Sequence, residues 1–230
     1  MSLFALGDTH LSLGVDKPMD IFPGWEGYLP RLEKNWRALV KPDDVVMIPG
    51  DISWAMNLNQ TLQDFAWLNE LPGIKVISKG NHDYWWATMA RMNRFLQENG
   101  FDSIHILFNN TFVAGKYALC GTRGWFFDDP SDFSEKIIAR ECGRLRRSIA
   151  AADETGLERI LFLHYPPVTN ERECGPIMDV IRESGIERCY YAHLHGGAIR
   201  HAFEGERDGI QFHLVSADAL HFCPLLIEKF

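Results

Sequence analysis

The sequence predicts an α/β layer architecture built on two sheets in one domain, residues 1–230. Three observations lead there. Short apolar runs rich in β-branched residues alternate with longer amphipathic stretches through the first hundred residues. A close-set group of strand-like runs follows Gly100, and after a long helical stretch comes a second strand–helix–strand passage. No stretch rich in Pro, Gly or Ser divides the chain, and no internal repeat is present.

Taken in order, residues 3–6 read as a strand, 29–40 as a helix, 45–48 as a strand, 58–71 as a helix, 74–78 as a strand and 86–98 as a helix. Residues 104–108, 111–114 and 117–121 are strand-like and joined by very short Asn or Gly turns, which suits antiparallel hairpins. Residues 131–153 carry a helical pattern, with Ser131 or Asp132 as N-cap and Gly156 as a stop just beyond. Residues 160–164, 176–183 and 188–192 repeat strand, helix, strand, and residues 210–215 and 222–227 close the chain as strands.

Composition limits what such a domain does. With 31 acidic against 23 basic side chains the formal net charge is −8, which repels extended nucleic acid and anionic lipid. The five cysteines are odd in number and never form C-x-x-C, against both a disulfide framework and a thiolate zinc site. No apolar run reaches the length of a membrane span, and residues 1–11 lack the charge pattern of a signal peptide, so the cytoplasm is the expected compartment.

The informative residues stand immediately after the apolar runs, where side chains enter a crevice at the strands' carboxyl ends. Residues 3–6 lead into Asp8-Thr9-His10, 45–48 into Gly50-Asp51, and 74–78 into Gly80-Asn81-His82-Asp83. The run 160–163 ends at His164, and 188–191 leads into His193-Leu194-His195. An Asp-x-His or Gly-Asp alone is an ordinary loop feature, whereas five such fragments in series are not. Four imidazoles, two carboxylates and one carboxamide are too many donors for one ion and suit two, provided one carboxylate bridges them. Mixed nitrogen and oxygen donors point to manganese, iron or zinc rather than magnesium or calcium.

The series D-x-H, G-D, G-N-H-D, H, H-x-H, running from Asp8 to His195, resembles the calcineurin-like metallophosphoesterase superfamily. The resemblance implies a four-layer α/β/β/α sandwich with two mixed β-sheets flanked by helices. It implies one ion on Asp8, His10 and His195, another on Asn81, His164 and His193, and Asp51 bridging. It also makes His82 a non-ligand that contacts the phosphate or protonates the leaving oxygen, with Asp83 orienting it. The family usually has Gly where this chain has Ala192. The Asp-Arg-Gly of Ser/Thr protein phosphatases is absent, since Gly50-Asp51 continues as Ile52-Ser53-Trp54.

The expected activity is therefore a dinuclear metal-dependent phosphohydrolase or phosphodiesterase, in which a metal-bridging hydroxide attacks a small phosphate ester such as a nucleotide. A nuclease of the same fold is disfavoured by the low basic content. A non-hydrolytic binding module is disfavoured because all seven ligand positions are intact. Aromatic residues crowd the motif loops: Trp54, Trp85 and Trp125 are candidate stacking residues, beside Tyr84, Trp86 and Phe126, although packing of the helix starts explains them equally. Arg123, in a Gly-flanked loop, is a candidate anion clamp or one half of an ion pair. Arg140, Arg144 and Arg147 recur at helical spacing among acidic residues and read as a solvated or packing face.

Overall fold

In the computed structural model, which describes residues 1–125 and 135–230, the apolar runs become two mixed sheets. The first is built from Ser2–Ala5 (β1), Val45–Pro49 (β2), Ile74–Ser78 (β3) and Ile104–Ile106 (β4), all parallel. Leu225–Lys229, the last strand of the chain, joins it antiparallel beside β1. The second sheet has Phe112–Ala114 (β5), Tyr117–Thr122 (β6), Glu158–Leu163 (β7), Arg188–Tyr191 (β8), Gly205–Arg207 (β9) and Ile210–Leu214 (β10). The order is β5-β6-β7-β8-β10-β9, parallel except at its two edge strands.

Three apolar layers account for the stacking. Tyr28–Leu39 (α1), Leu62–Glu70 (α2) and Met89–Glu98 (α3) cover the outer face of the first sheet, where Leu32, Trp36, Phe65 and Met92 meet Val46, Ile48 and Ile77. Glu135–Asp153 (α4) and Gly175–Ser184 (α5) cover the second through Leu145, Ile149, Ile177 and Ile181. Between the sheets, Leu3, Ala5, Met47 and Val76 pack on Leu119, Ile160, Phe162 and Tyr190. Strands buried on both faces need continuous apolar runs, which is why 45–48 and 160–163 carry no polar residue. The result is the expected α/β/β/α sandwich. No helix among the described residues is long and apolar enough to cross a membrane.

Two expectations are corrected. The three strands just after Gly100 do not form a run of hairpins: β4 pairs with β3 in the first sheet, and of the three only β5 and β6 form a hairpin, in the second. The chain crosses between sheets there because Asn110 closes the turn locally, its side chain accepting from Phe108 N and donating to the Ile106 carbonyl. The last strand begins at Leu225 rather than 222, since Phe222 sits in a left-handed turn with its ring buried. The N-cap expected at Ser131 or Asp132 lies outside the described residues. Glu141 of α4, fully buried, accepts from Thr122 of β6 and from Arg144, so Glu141 ties α4 to β6 and Arg144 of the basic stripe is paired to it within the helix.

Candidate metal centre

All seven sequence-predicted ligands converge at the carboxyl ends of β1, β2, β3, β7 and β8, in the seam between the sheets. Asp8, His10 and His195 form one group and Asp51, His164 and His193 another, the donor atoms within each lying within 4.8 Å of one another. Asn81 meets the second group, its Oδ1 2.6 Å from His164 Nε2. Asp51 Oδ2 stands between the groups, 3.7 Å from His10 Nε2 and 3.5 Å from His164 Nε2.

The loops hold these side chains at a conformational cost. Asp8, His10, Asp51 and His193 all have left-handed backbones, with φ of 57°, 42°, 51° and 76°. Each such residue costs on the order of 1–3 kcal/mol and persists only where its surroundings fix it. Here the fixing is explicit. Asp8 N donates to the Gly50 carbonyl and His10 N to the Asp51 carbonyl, locking the first loop to the second. His193 N donates to Asp8 Oδ2 at 2.9 Å and His82 N to Asp51 Oδ1 at 2.8 Å. One oxygen of each carboxylate is thereby used by backbone, and the other is turned toward imidazoles. Gly80 packs so closely that a Cβ would lie 2.0 Å from Asp51 Oδ1.

Asp83 does not orient His82 as expected. Its fully buried carboxylate accepts from the backbone of Asp51, Ile52, Ser53 and Gly80 and from the Trp85 indole, while His82 Nδ1 is buried without a partner. Asp83 is instead the knot that ties the Gly50 loop to the Gly80 loop. Burial raises its carboxyl to about 6 even against those donors.

Several features fit bound cations. Asp8 Oδ1 is buried without a hydrogen-bond partner, 3.6 Å from His195 Nε2. His10 Nε2 and His195 Nε2 face each other at 3.4 Å. At metal–donor distances of about 2.0–2.2 Å, donors sharing one ion stand roughly 3–3.6 Å apart. His164 Nδ1 lies 3.1 Å from the Pro49 carbonyl, which can only accept, so the proton sits on Nδ1 and Nε2 presents a lone pair to Asn81 Oδ1. Both atoms then turn lone pairs toward the same region, as two ligands of one cation would. The charges agree. Burial would raise Asp8, but the imidazoles of His195, His164 and His10 hold it below the carboxylate range. Burial, Asp83 and Asp8 push Asp51 well above it. Burial takes His164 down to about 3, whereas Asp8 and Asp218 overcome burial and raise His195 to about 10. As bare side chains the cluster is in conflict, which divalent cations would resolve.

Sequence reasoning missed Asp218. It follows β10 at the same end of the sheet, accepts from His195 Nδ1 at 2.8 Å and from Gly196 N at 2.8 Å, and so aims His195 Nε2 at Asp8. The signal was a carboxylate just beyond a strand, as at Asp8, with no motif around it.

The candidate substrate residues divide. Trp54 stacks on His10, ring centroids 4.9 Å apart at 22°, and lines a cavity of about 420 Å³ that opens beside His10, His82 and His195. Trp85 is corrected: it is 2% exposed, edge-on to Phe65 within the first sheet's core, and its N–H is taken by Asp83. Arg123 lies 3.8 Å from the buried Glu141 carboxylate and over the Trp125 ring, which also meets Tyr165; neither Arg123 nor Trp125 lines that cavity. Phe126 is outside the described residues. Desolvation and the neighbouring imidazole of His193 lower the half-buried His82 below its usual range.

Comparison with known proteins bears on the same region. The sequence model for calcineurin-like phosphoesterases matches residues 1–197, which contain every residue of the two groups. Among solved structures, a protein of unknown function from Aquifex aeolicus is similar with TM-score 0.51 at 16% identity, covering 98% of this chain and 95% of its own. Phosphopantetheinyl hydrolase from Mycobacterium tuberculosis is similar with TM-score 0.53 at 14% identity, covering 94% and 88%. At these identities the likeness is one of fold. No curated protein matches the sequence significantly.

Proposed function

The chain belongs to the calcineurin-like phosphoesterase family and is a hydrolase of phosphoester bonds, and on that premise we propose that it works through two divalent cations on a small phosphate ester. The observation that carries this reading is Asp51, whose free oxygen lies between two groups of donors drawn from both sheets. Asp8, His10 and His195 would hold one ion and Asn81, His164 and His193 the other, with Asp51 shared. This nitrogen and oxygen set suits manganese, iron or zinc. When bound, such ions supply a nucleophile at neutral pH and neutralise charge on phosphoryl oxygens.

The chain's own residues supply the rest. Asp83 and the backbone bonds to Asp8 and Asp51 hold the donors rigid, so no reorganisation is needed as charge develops. His82 is not in either group, yet its ring lies 5.7 Å from that of His10, at the mouth of the site. Burial keeps it neutral in the resting protein, and a phosphate dianion beside it draws its proton affinity back up. It then donates that proton to the departing alkoxide.

Metal analysis together with two variants tests this. The protein supplemented with manganese should retain two equivalents of divalent ion and hydrolyse aryl phosphate or bis-aryl phosphate. His82→Ala should keep its metal and lose about 10²- to 10⁴-fold in turnover. Asp51→Asn should lose both metal and activity. Loss of metal from His82→Ala, or a wild-type protein that retains no stoichiometric ion, would overturn the assignment.

A further inference from the structure

The cavity beside His82 has walls of a single character. Met19, Phe22, Pro23, Trp25 and Trp54 form them, and imidazoles are the only ionisable groups among the residues that line it. The Trp54 N–H is already directed at Met19 Sδ, 3.2 Å away. A polyol entering here would find few partners for its hydroxyls, and the Lys17 ammonium, 5.2 Å from the Trp54 ring centroid, is not among the lining residues. A flat apolar group would gain burial against ring faces.

The walls are built rather than incidental. All but Trp54 come from the segment between β1 and α1, where a turn of 3-10 helix at Met19–Ile21 is followed by Gly24, φ 88°. Gly27 N donates to Asp20 at 2.7 Å and Arg31 donates to the Gly24 carbonyl at 2.7 Å. Trp25 is clamped edge-on between Tyr28, Phe222 and His195, at 5.1, 5.0 and 5.6 Å. Phe22 projects at the rim with 47% of its surface exposed.

His82 lies on this wall. His10 and His195 of the first donor group line the same cavity, so it opens directly beside that group, and a substituent on a phosphate held there enters it. Resting on the phosphohydrolase reading above, we infer that this cleft is the subsite for the alcohol portion of the substrate. It selects phosphate esters of planar, apolar alcohols over those of polyols. The volume of about 420 Å³ admits a fused pair of rings and lies within the range of small-molecule sites.

The test compares 2-naphthylmethyl phosphate with glycerol 3-phosphate on the manganese-loaded protein. Both leaving groups are primary alkoxides, so the ratio of kcat/KM reports the subsite rather than leaving-group acidity. The naphthylmethyl ester should be preferred at least about tenfold. Phe22→Ser should cut the preference about fivefold through KM for that ester, while Ile21→Ser, exposed and outside the cleft, should leave it unchanged. Free 2-naphthalenemethanol should also quench tryptophan fluorescence saturably, and less so in Phe22→Ser. Equal turnover of both esters, without saturable quenching, overturns the subsite and leaves the phosphohydrolase reading intact. Hydrolysis of neither ester overturns that reading, and the quenching then decides the cleft on its own: saturation supports it and its absence rejects it.

Discussion

Asp218 shows how a single residue outside the motifs tunes the centre. Its carboxylate fixes the proton of His195 on Nδ1 and leaves Nε2 as the donor facing Asp8. Asp218→Ala removes that constraint without touching a ligand. The expected result is a 10- to 100-fold weaker affinity for the ion on Asp8, His10 and His195, with the second ion undisturbed. Competition with a chromogenic chelator resolves the two affinities. An equal loss at both sites, or at neither, would show that Asp218 does not act through His195. At this scale the sequence revealed residue types but not roles. Trp54 and Trp85 look alike in the chain, yet one lines the cleft and the other serves the core and Asp83. The left-handed backbones of Asp8, His10, Asp51 and His193 were not legible either, because Asp and His tolerate that region without announcing it.

At the scale of elements, the parallel strands and the ligands at their ends were legible because each strand is one continuous apolar run closed by a polar motif. What failed was partner choice. Residues 104–121 carry good strand signals, but whether β4 joins β3 or β5 depends on contacts distant in sequence. β6 carries a testable consequence of its place between β5 and β7. Cys120 is fully buried there, and burial pushes its thiol up from 9.0 to about 12. Burial likewise raises Cys174 to about 11 and Cys189 well above its ordinary value. In the unfolded chain these thiols give up protons near pH 9, whereas the folded chain keeps them. Their contribution is therefore complete below about pH 9 and is lost as pH climbs toward 12. For Cys120 alone the loss approaches about 4 kcal/mol. Lys75 opposes it: burial lowers its ammonium from 10.5 to about 8, so its contribution rises between those values. Burial lowers Lys79 as well, but it raises Tyr28, Tyr190 and Tyr191 alongside the thiols, so the raised groups outweigh the two amines and the net slope is downward. Urea unfolding from pH 8 to 11 should show a falling midpoint, with a shallower fall in Cys120→Ala. An unchanged slope in that variant would remove Cys120 from the account.

Across the whole molecule, each candidate cation group draws on both sheets. The first sheet contributes Asp8, His10, Asp51 and Asn81, and the second contributes His164, His193 and His195, so the groups span the seam above the interlayer core. An ion held there links two layers that are otherwise joined by apolar packing, loop hydrogen bonds and the bonds from Tyr117 and Arg188 to Glu228. Two divalent ions would also halve the formal net charge of −8 and end the conflict among the buried carboxylates. Metal should consequently stabilise the fold as a whole rather than one loop. Free ion at 1,000 times its dissociation constant contributes about 4 kcal/mol per site. For a chain of this length each kcal/mol moves Tm by about 2–4 °C, so saturating manganese should raise Tm by roughly 8–16 °C per ion. A chelator should reverse the increase. Asp51→Asn should abolish most of it, because Asp51 is shared, whereas His82→Ala should keep it, because His82 holds no ion. Calorimetry on the three proteins, with manganese and with chelator, separates the outcomes. A wild-type protein that binds two ions without any rise in Tm would show that the centre does not clamp the sheets together.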